Sequence, residues 1–245
     1  MSVAIFRFYE ELNDFLPARR RKHGFEHAFE RRASVKDMIE GLGVPHTEVE
    51  LIVVNGASVN FSHIVENGDR IAVYPVFESL DITPLLRLRP QPLRNLLFVA
   101  DANLGKLARL LRLLGLDTWY RNDYDDAVLA ELVAHHRRVL LTRDRGLLKR
   151  ARVTHGYFVR GTDPLLQARE VVARFDLGRA VKPFSRCTRC NGVIRAVDGD
   201  EVSARLPRGT RERHRNYWLC RECGRIYWEG SHHARLQHVV AQILR

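Results

Sequence analysis

The stretch Leu96–Asp117, LLFVADANLGKLARLLRLLGLD, decides the fold. Leu96 to Ala100 is an apolar run short enough to be one buried strand. It stops on a carboxylate, Asp101. Beyond it Leu104, Leu107, Ala108, Leu111 and Leu114 recur at helical spacing, which predicts an amphipathic helix with these residues inward. Lys106, Arg109 and Arg112 fall off that face and form a cationic stripe, and Gly115 closes the helix. A carboxylate at the end of a buried strand, with bases beside it, suits a metal site that works on phosphate. Capping of the helix start is the other reading of Asp101.

Downstream, the pattern repeats. DTWYR reads as a second strand, and the polar turn NDYDD leads into a helix from Asp126 to His136 with Ala127, Leu129, Ala130, Leu132 and Val133 inward. RRVLLT is a third strand that ends in Thr142-Arg143-Asp144. A short basic helix, RGLLKRAR, a fourth strand, GYFVRG, and a helix opened by Asp163-Pro164 complete the series. Strands alternating with helices predict a parallel sheet with helices on both faces. In such sheets ligands collect at the carboxyl ends of the strands. Asp101, Asp144 and the Asp123–Asp126 group are expected at that edge. Several carboxylates there repel one another unless a cation holds them, and hard oxygen ligands favour Mg²⁺ or Mn²⁺. Lys106, Arg109, Arg143 and Arg145 are placed to hold backbone phosphates. Asp123 reads as a turn residue and Asp163 as a helix cap.

The region before this series has a different character. VAIFRFY is an alternating strand, followed by the basic loop ARRRKHG and an extended stretch at His27–Phe29. Ser34 is an N-cap for a helix that ends at Gly41 or Gly43 before Pro45. ELIVVNG and DRIAVYPVF are two further strands, at the Asn55-Gly56 and Asn67-Gly68 turns. The order strand, strand, helix, strand, strand is that of a β-grasp domain, assigned to residues 1–80. A connector at 81–94, with Pro84, Pro90 and Pro92 among arginines, separates it from the α/β domain at 95–182.

All four cysteines lie in the last third, as Cys187-x2-Cys190 and Cys220-x2-Cys223. Two such knuckles complete a tetrahedral four-thiolate site for structural zinc, assigned to a zinc ribbon at 183–245. Between the pairs, RLPRGTRERHRNYW mixes arginine with aromatic residues. Trp218 and Trp228 suit either the small core of the ribbon or stacking on unpaired bases.

Charge sorts the three regions. The 245-residue chain carries a net +11. Residues 1–80 hold 9 basic and 12 acidic side chains, residues 81–182 hold 19 and 11, and residues 183–245 hold 12 and 6. The excess therefore belongs to the last two regions, and a polyanion such as nucleic acid is the expected partner. No window is long and apolar enough for a membrane span, and acids occur too early for a secretory signal, so a cytoplasmic protein without membrane contact is expected.

Two resemblances sharpen these readings. Residues 1–80, through Val53-Val54-Asn55-Gly56 and Asn67-Gly68-Asp69-Arg70-Ile71, resemble the ubiquitin-like sulfur-carrier proteins. Those carriers work through a flexible Gly-Gly end, which is missing here because the strand runs on into Val76–Leu80. An interaction or stabilising module, reaching a ribosome or protein partner, is the expectation. DANLGKLARLLRLLGLDT, NDYDDAVLAELV and RVLLTRDRGLLKRA, continuing through the cysteine pairs to IYWEGSH, resemble the PIN-like ribonuclease family first named from the C-terminal domain of Mut-7-type exonucleases.

That resemblance implies a PIN-like fold, metal-dependent RNA cleavage and an appended zinc ribbon, with a ubiquitin-like module in front of some members. It implies catalytic acids at Asp101, Asp125, Asp126 and Asp144, with Asp101, Asp126 and Asp144 as magnesium or manganese ligands. Glu131 is the only acid inside the middle helix and is a further candidate. His232, in the family's GSHH segment, is a candidate RNA contact. The expected function is a ribonuclease, endonucleolytic, with zinc as structural and Mg²⁺ or Mn²⁺ as catalytic cofactor. The alternative is an RNA- or ribosome-binding adaptor that does not cleave.

Overall fold

A computed structural model of the chain describes residues 1–76, 87–88 and 96–245. The connector predicted at 81–94 lies outside the described residues except for Arg87 and Leu88. The fold divides into two compact units, one of Met1–Asn95 with Ala130–Phe158 and the other of Leu96–Leu129 with Val159–Arg245. No helix among the described residues is long and apolar enough to cross a membrane.

The first unit opens with a five-stranded sheet. Its strands are β1 (Ser2–Phe8), β2 (Phe25–Phe29), β3 (Leu51–Val54), β4 (Ala57–Val59) and β5 (Arg70–Tyr74), with helix α1 (Val35–Gly41) between β2 and β3. The order is β2-β1-β5-β3-β4, with β1 parallel to β5 and the other pairs antiparallel. This is the β-grasp arrangement. Alternation in β1 buries Ala4, Phe6 and Phe8 and leaves Arg7 exposed, as a strand with one face on a core requires. Ser34 caps α1, its hydroxyl accepting from the Asp37 N–H at 3.1 Å. Strand β4 goes beyond the four strands read from the sequence. Asn55 at φ +50° and Gly56 at φ +89° make the tight turn that returns it against β3.

The α/β part follows, as β6 (Phe98–Ala100), α2 (Gly105–Leu113), β7 (Thr118–Trp119), α3 (Asp126–His136), β8 (Val139–Thr142), α4 (Arg145–Leu148), β9 (Gly156–Phe158) and α5 (Pro164–Arg174). Its strand pairs are parallel and flanked by helices: β6 pairs with β7 in the second unit, and β8 with β9 in the first. Both β6 and β8 are wholly buried, which explains their continuous apolar sequences. The predicted inner face of α2 is buried as expected. On α3, Leu129, Ala130 and Val133 are buried but Ala127 is exposed. The strand read as DTWYR is only two residues long.

Within the first unit, the β-grasp module and the β8–α4–β9 segment share one body. β9 is an edge strand, and the buried Glu48 carboxylate accepts from the Phe158 N–H at 2.6 Å. A side chain thus supplies the acceptor that an edge strand would otherwise seek from water or another strand. His46 bridges Glu40 Oε1 at 2.6 Å and the Val153 carbonyl at 2.9 Å, and Lys149 Nζ donates to the Glu40 carbonyl at 2.7 Å. Phe15 meets Phe158 edge-on, with centroids 5.4 Å apart.

The second unit contains the C-terminal ribbon. Its strands β10 (Ile194–Val197), β11 (Tyr217–Cys220) and β12 (Ile226–Trp228) form an antiparallel sheet, with short helices α6 (Gly199–Val202) and α7 (Arg208–Arg213) between β10 and β11. Helix α8 (Ser231–Ile243) follows and packs on α5, where Arg169 Nε donates to the Gln242 carbonyl at 2.7 Å. The ribbon core is Val202, Leu206 and Tyr217, with Val197, Leu219 and Ile226 against it. Trp228 is among the exposed large apolar residues and Trp218 is half-buried, while Tyr217 supplies the aromatic ring of this core.

The ribbon joins the α/β strands through polar bonds. Arg112 is buried. It donates through Nε to the Thr118 carbonyl at 2.8 Å and through a terminal nitrogen to the Arg189 carbonyl at 2.8 Å. The sequence places Arg112 in the surface stripe with Lys106 and Arg109; the fold instead uses it as a bolt to the first cysteine knuckle. Burial lowers its pKa, against the opposing pull of Cys190, Cys187 and Asp117. Asn191 accepts from the Thr118 N–H and donates to Asp117, which also pairs with Arg186 at 3.0 Å.

Candidate active site and metal centre

Each predicted acid stands at the end of a strand or the start of a helix. Asp101 follows β6, is half-buried, and accepts from the Asn103 N–H at 3.4 Å. Tyr120 reaches the same turn, donating to the Ala102 carbonyl at 3.0 Å. Gly105 makes room for it, since a Cβ there would stand 2.5 Å from the phenol oxygen. Tyr120 is a neighbour of the Asp101 turn that sequence reading missed. Lys106 and Arg109 are exposed on α2.

Asp125 accepts from the Val128 N–H at 2.8 Å, and Asp126 is the first residue of α3. Asp123 is tied to Arg121 at 2.6 Å, and that hydrogen bond holds its carboxyl below the usual range. Asp163 caps α5, accepting from Leu165 and Leu166, with Pro164 in the first turn. Asp101, Asp125 and Asp126 belong to the second unit.

Asp144 belongs to the first unit, with Arg143 and Arg145 on either side. It is exposed just past β8 and caps α4. Oδ1 accepts from Gly146 at 2.6 Å and Leu147 at 3.2 Å, while its own N–H donates to Thr142 Oγ1 at 2.9 Å. Oδ2 takes no hydrogen bond among the described residues. The cap therefore fixes the carboxylate through one oxygen. Glu131 pairs with Arg152 and with His135 at 3.1 Å on the exposed side of α3. Arg145 lies over two rings, Phe15 at 5.0 Å and Phe158 at 5.3 Å. His232 is exposed in the first turn of α8, and the ring of His233 beside it lies tilted against Phe184, with centroids 4.6 Å apart.

The four cysteines converge. Their sulfurs all lie within 4.8 Å of one another. Cys187 and Cys223 are 3.7 Å apart, and Cys190 and Cys220 are 3.4 Å apart. A tetrahedron with zinc–sulfur bonds of about 2.3 Å has edges of about 3.8 Å, so the cluster fits a zinc ion. The two knuckles share a backbone pattern, in which the Asn191 N–H bonds back to Cys187 and the Gly224 N–H to Cys220. Asn191 and Gly224 take the positive φ, +73° and +66°. Gly192 serves close approach instead, since a Cβ there would stand 2.9 Å from the Cys220 sulfur.

Acid–base balance points the same way. Burial pushes the Cys190 and Cys220 thiols up, Cys190 to about 12, and opposes the Tyr227 hydroxyl at 3.0 Å and the backbone N–H groups that bring Cys187 down to about 6. A cation bound by thiolates releases the protons that such thiols carry.

Comparison with known protein families agrees with this geometry. A model described as the Mut7-C RNAse domain matches residues 96–240. The chain belongs to the Mut7-C RNAse domain family. A second model, described as Mut7-C ubiquitin, matches residues 1–81, over the β-grasp module. No curated protein and no solved structure matches the chain. The family is that of a ribonuclease domain, and RNA is the substrate class that it implies.

Proposed function

We propose that the protein is an endoribonuclease that depends on Mg²⁺ or Mn²⁺, with RNA held by basic side chains and by the zinc ribbon. The observation that carries the reading is the pair of acids ending buried strands of a ribonuclease-family domain, Asp101 after β6 and Asp144 after β8. In a parallel sheet such positions share the carboxyl edge, where active sites form. Asp101, Asp126 and Asp144 would hold the ion, with Asp125 beside them. The donors suit a hard cation: all are carboxylates, and the cap on α4 uses only Oδ1 of the exposed Asp144. When bound, the ion would supply an activated water and charge neutralisation at the leaving oxygen.

The chain's own residues do the positioning. Lys106 and Arg109, exposed on α2, together with Arg143 and Arg145 beside Asp144, would take backbone phosphates and set the strand's register without reading bases. His232 would add a contact from α8. The functional division we propose is a β-grasp module at 1–80, a linker at 81–94, a nuclease domain at 95–182 and a zinc ribbon at 183–245. The ribbon's arginines Arg208, Arg211 and Arg213 on α7 are exposed or nearly so, as a phosphate-holding helper requires.

The test is Asp101→Asn with Asp144→Asn in the full chain. Asparagine is as good a helix cap as aspartate, so both caps survive and only charge is lost. Cleavage of labelled RNA with added Mn²⁺ is expected to fall to background while thermal unfolding stays near the parent's. Cleavage at the parental rate would refute the site. An adaptor that binds RNA without cutting it would show no cleavage by the parent either.

A further inference from the structure

The loop from Tyr9 to Gly24 joins β1 to β2, and it is built rather than slack. Asn13 is buried at its centre. Its amide donates to the Phe8 and Glu10 carbonyls at 3.0 and 2.9 Å, and its oxygen accepts from the Lys22 N–H at 2.7 Å. Arg21 Nε donates to the Leu16 carbonyl at 2.8 Å, and Arg20 lies 4.9 Å over the Phe25 ring. These bonds hold four successive cations, Arg19, Arg20, Arg21 and Lys22, with Arg19, Arg21 and Lys22 exposed. The loop's acids, Glu10, Glu11 and Asp14, all lie in its opening 3-10 helix, Glu10–Phe15. The cations thus crowd its second half, in a module that otherwise carries excess acid.

Crowded like charges cost free energy that an approaching polyanion returns, by displacing condensed counterions. The same loop touches the nuclease segment. Arg145, next to Asp144, rests on Phe15, and Arg21 is bonded to Leu16, the next residue. A continuous series of contacts therefore leads from Asp144 through Arg145, Phe15 and Leu16 to the basic run.

We propose that Arg19–Lys22 is a phosphate-binding track that continues the RNA path from Arg145 across the ubiquitin-like module, making this module part of the substrate-binding surface. The inference rests on the ribonuclease reading for its choice of polyanion. Arg145 serves it as the joint. Its guanidinium lies against the Phe15 and Phe158 rings on an exposed side chain, where a phosphate can reach it.

The test uses the full chain with EDTA present, and reads fluorescence anisotropy of a labelled single-stranded RNA over a salt series. Arg19→Glu with Lys22→Glu alters two exposed side chains. Affinity is expected to fall at least about tenfold, and the salt slope to become shallower by about 1.4 for two phosphate contacts on a single strand. Arg31→Glu with Arg32→Glu makes the same charge change at the opposite end of β2, and is expected to hold affinity within about threefold. Parental binding by the loop variant, or equal losses in both variants, would overturn the track. The two readings fail separately. Asp144→Asn that cleaves at the parental rate sinks the nuclease site and leaves the binding result standing, whereas unchanged binding by the loop variant sinks only the track.

Discussion

Gly115→Ala is expected to destabilise the second unit by about 2–5 kcal/mol, by breaking the junction between α2 and the chain that enters the ribbon. Gly115 sits at φ +83°, where a residue with a Cβ pays about 1–2 kcal/mol. The added carbon would also stand 2.9 Å from the carbonyl carbon of Lys182, nearer still to its oxygen, and 2.5 Å from Ser185 Oγ. That carbonyl cannot swing aside cheaply. The Lys182 N–H donates to the Leu114 carbonyl at 2.9 Å, and its own oxygen accepts from the Ser185 hydroxyl at 2.6 Å. Overpacking against fixed backbone costs typically about 1–3 kcal/mol more.

All three tryptophans, Trp119, Trp218 and Trp228, lie in this unit, so urea unfolding followed by their fluorescence reads it selectively. Gly178→Ala is the control, because a Cβ there meets nothing within 4 Å and φ is not left-handed. It should change stability by no more than about 0.5 kcal/mol. A loss below about 1 kcal/mol in Gly115→Ala, or equal losses in both variants, would refute the reasoning.

The four-cysteine cluster and one histidine give two further expectations. Protein purified without chelator should hold a single zinc ion for its four thiolates, and Cys220→Ser should lose it, with a change in fluorescence from Trp218 beside the site; metal analysis showing full zinc in the variant would count against the cluster as its ligand set. His27 has its pKa lowered, chiefly by burial and then by Arg20. The unfolded chain therefore takes up this proton first as pH falls, so the stability is complete above about 6.5 and is lost progressively below it. His27→Gln should flatten the dependence of unfolding midpoint on pH in that window, and an unaltered profile would rule the histidine out.

Much of the architecture is local chemistry and so is legible in one dimension. Leucines at helical spacing on α2, the Asn-Gly turn after β3, the Ser34 cap and the buried β8 run each act within a few residues. The Cys-x2-Cys pairs belong here too, because each knuckle is a single tight turn, although the meeting of the two pairs is not local. The acids are legible as strand-end residues. Their capping roles follow from the neighbouring N–H groups, as Asp144 over Gly146 and Leu147 shows.

What the sequence by itself determined was the kind and order of the elements, the ubiquitin-like front, the ribonuclease-family core and the paired cysteines. Only the tertiary structure decided which surfaces meet. It turned Arg112 from a surface cation into a buried bolt, because the carbonyl of Arg189 in the first cysteine knuckle, far along the chain, faced its position together with that of nearby Thr118. It gave Tyr217 the ribbon core and left Trp228 exposed. It set Glu48, His46 and Phe15 of the β-grasp module on β9 and the loops beside it. Periodicity reports how a segment divides its own faces between water and interior, whereas these contacts depend on what another segment presents a hundred residues away.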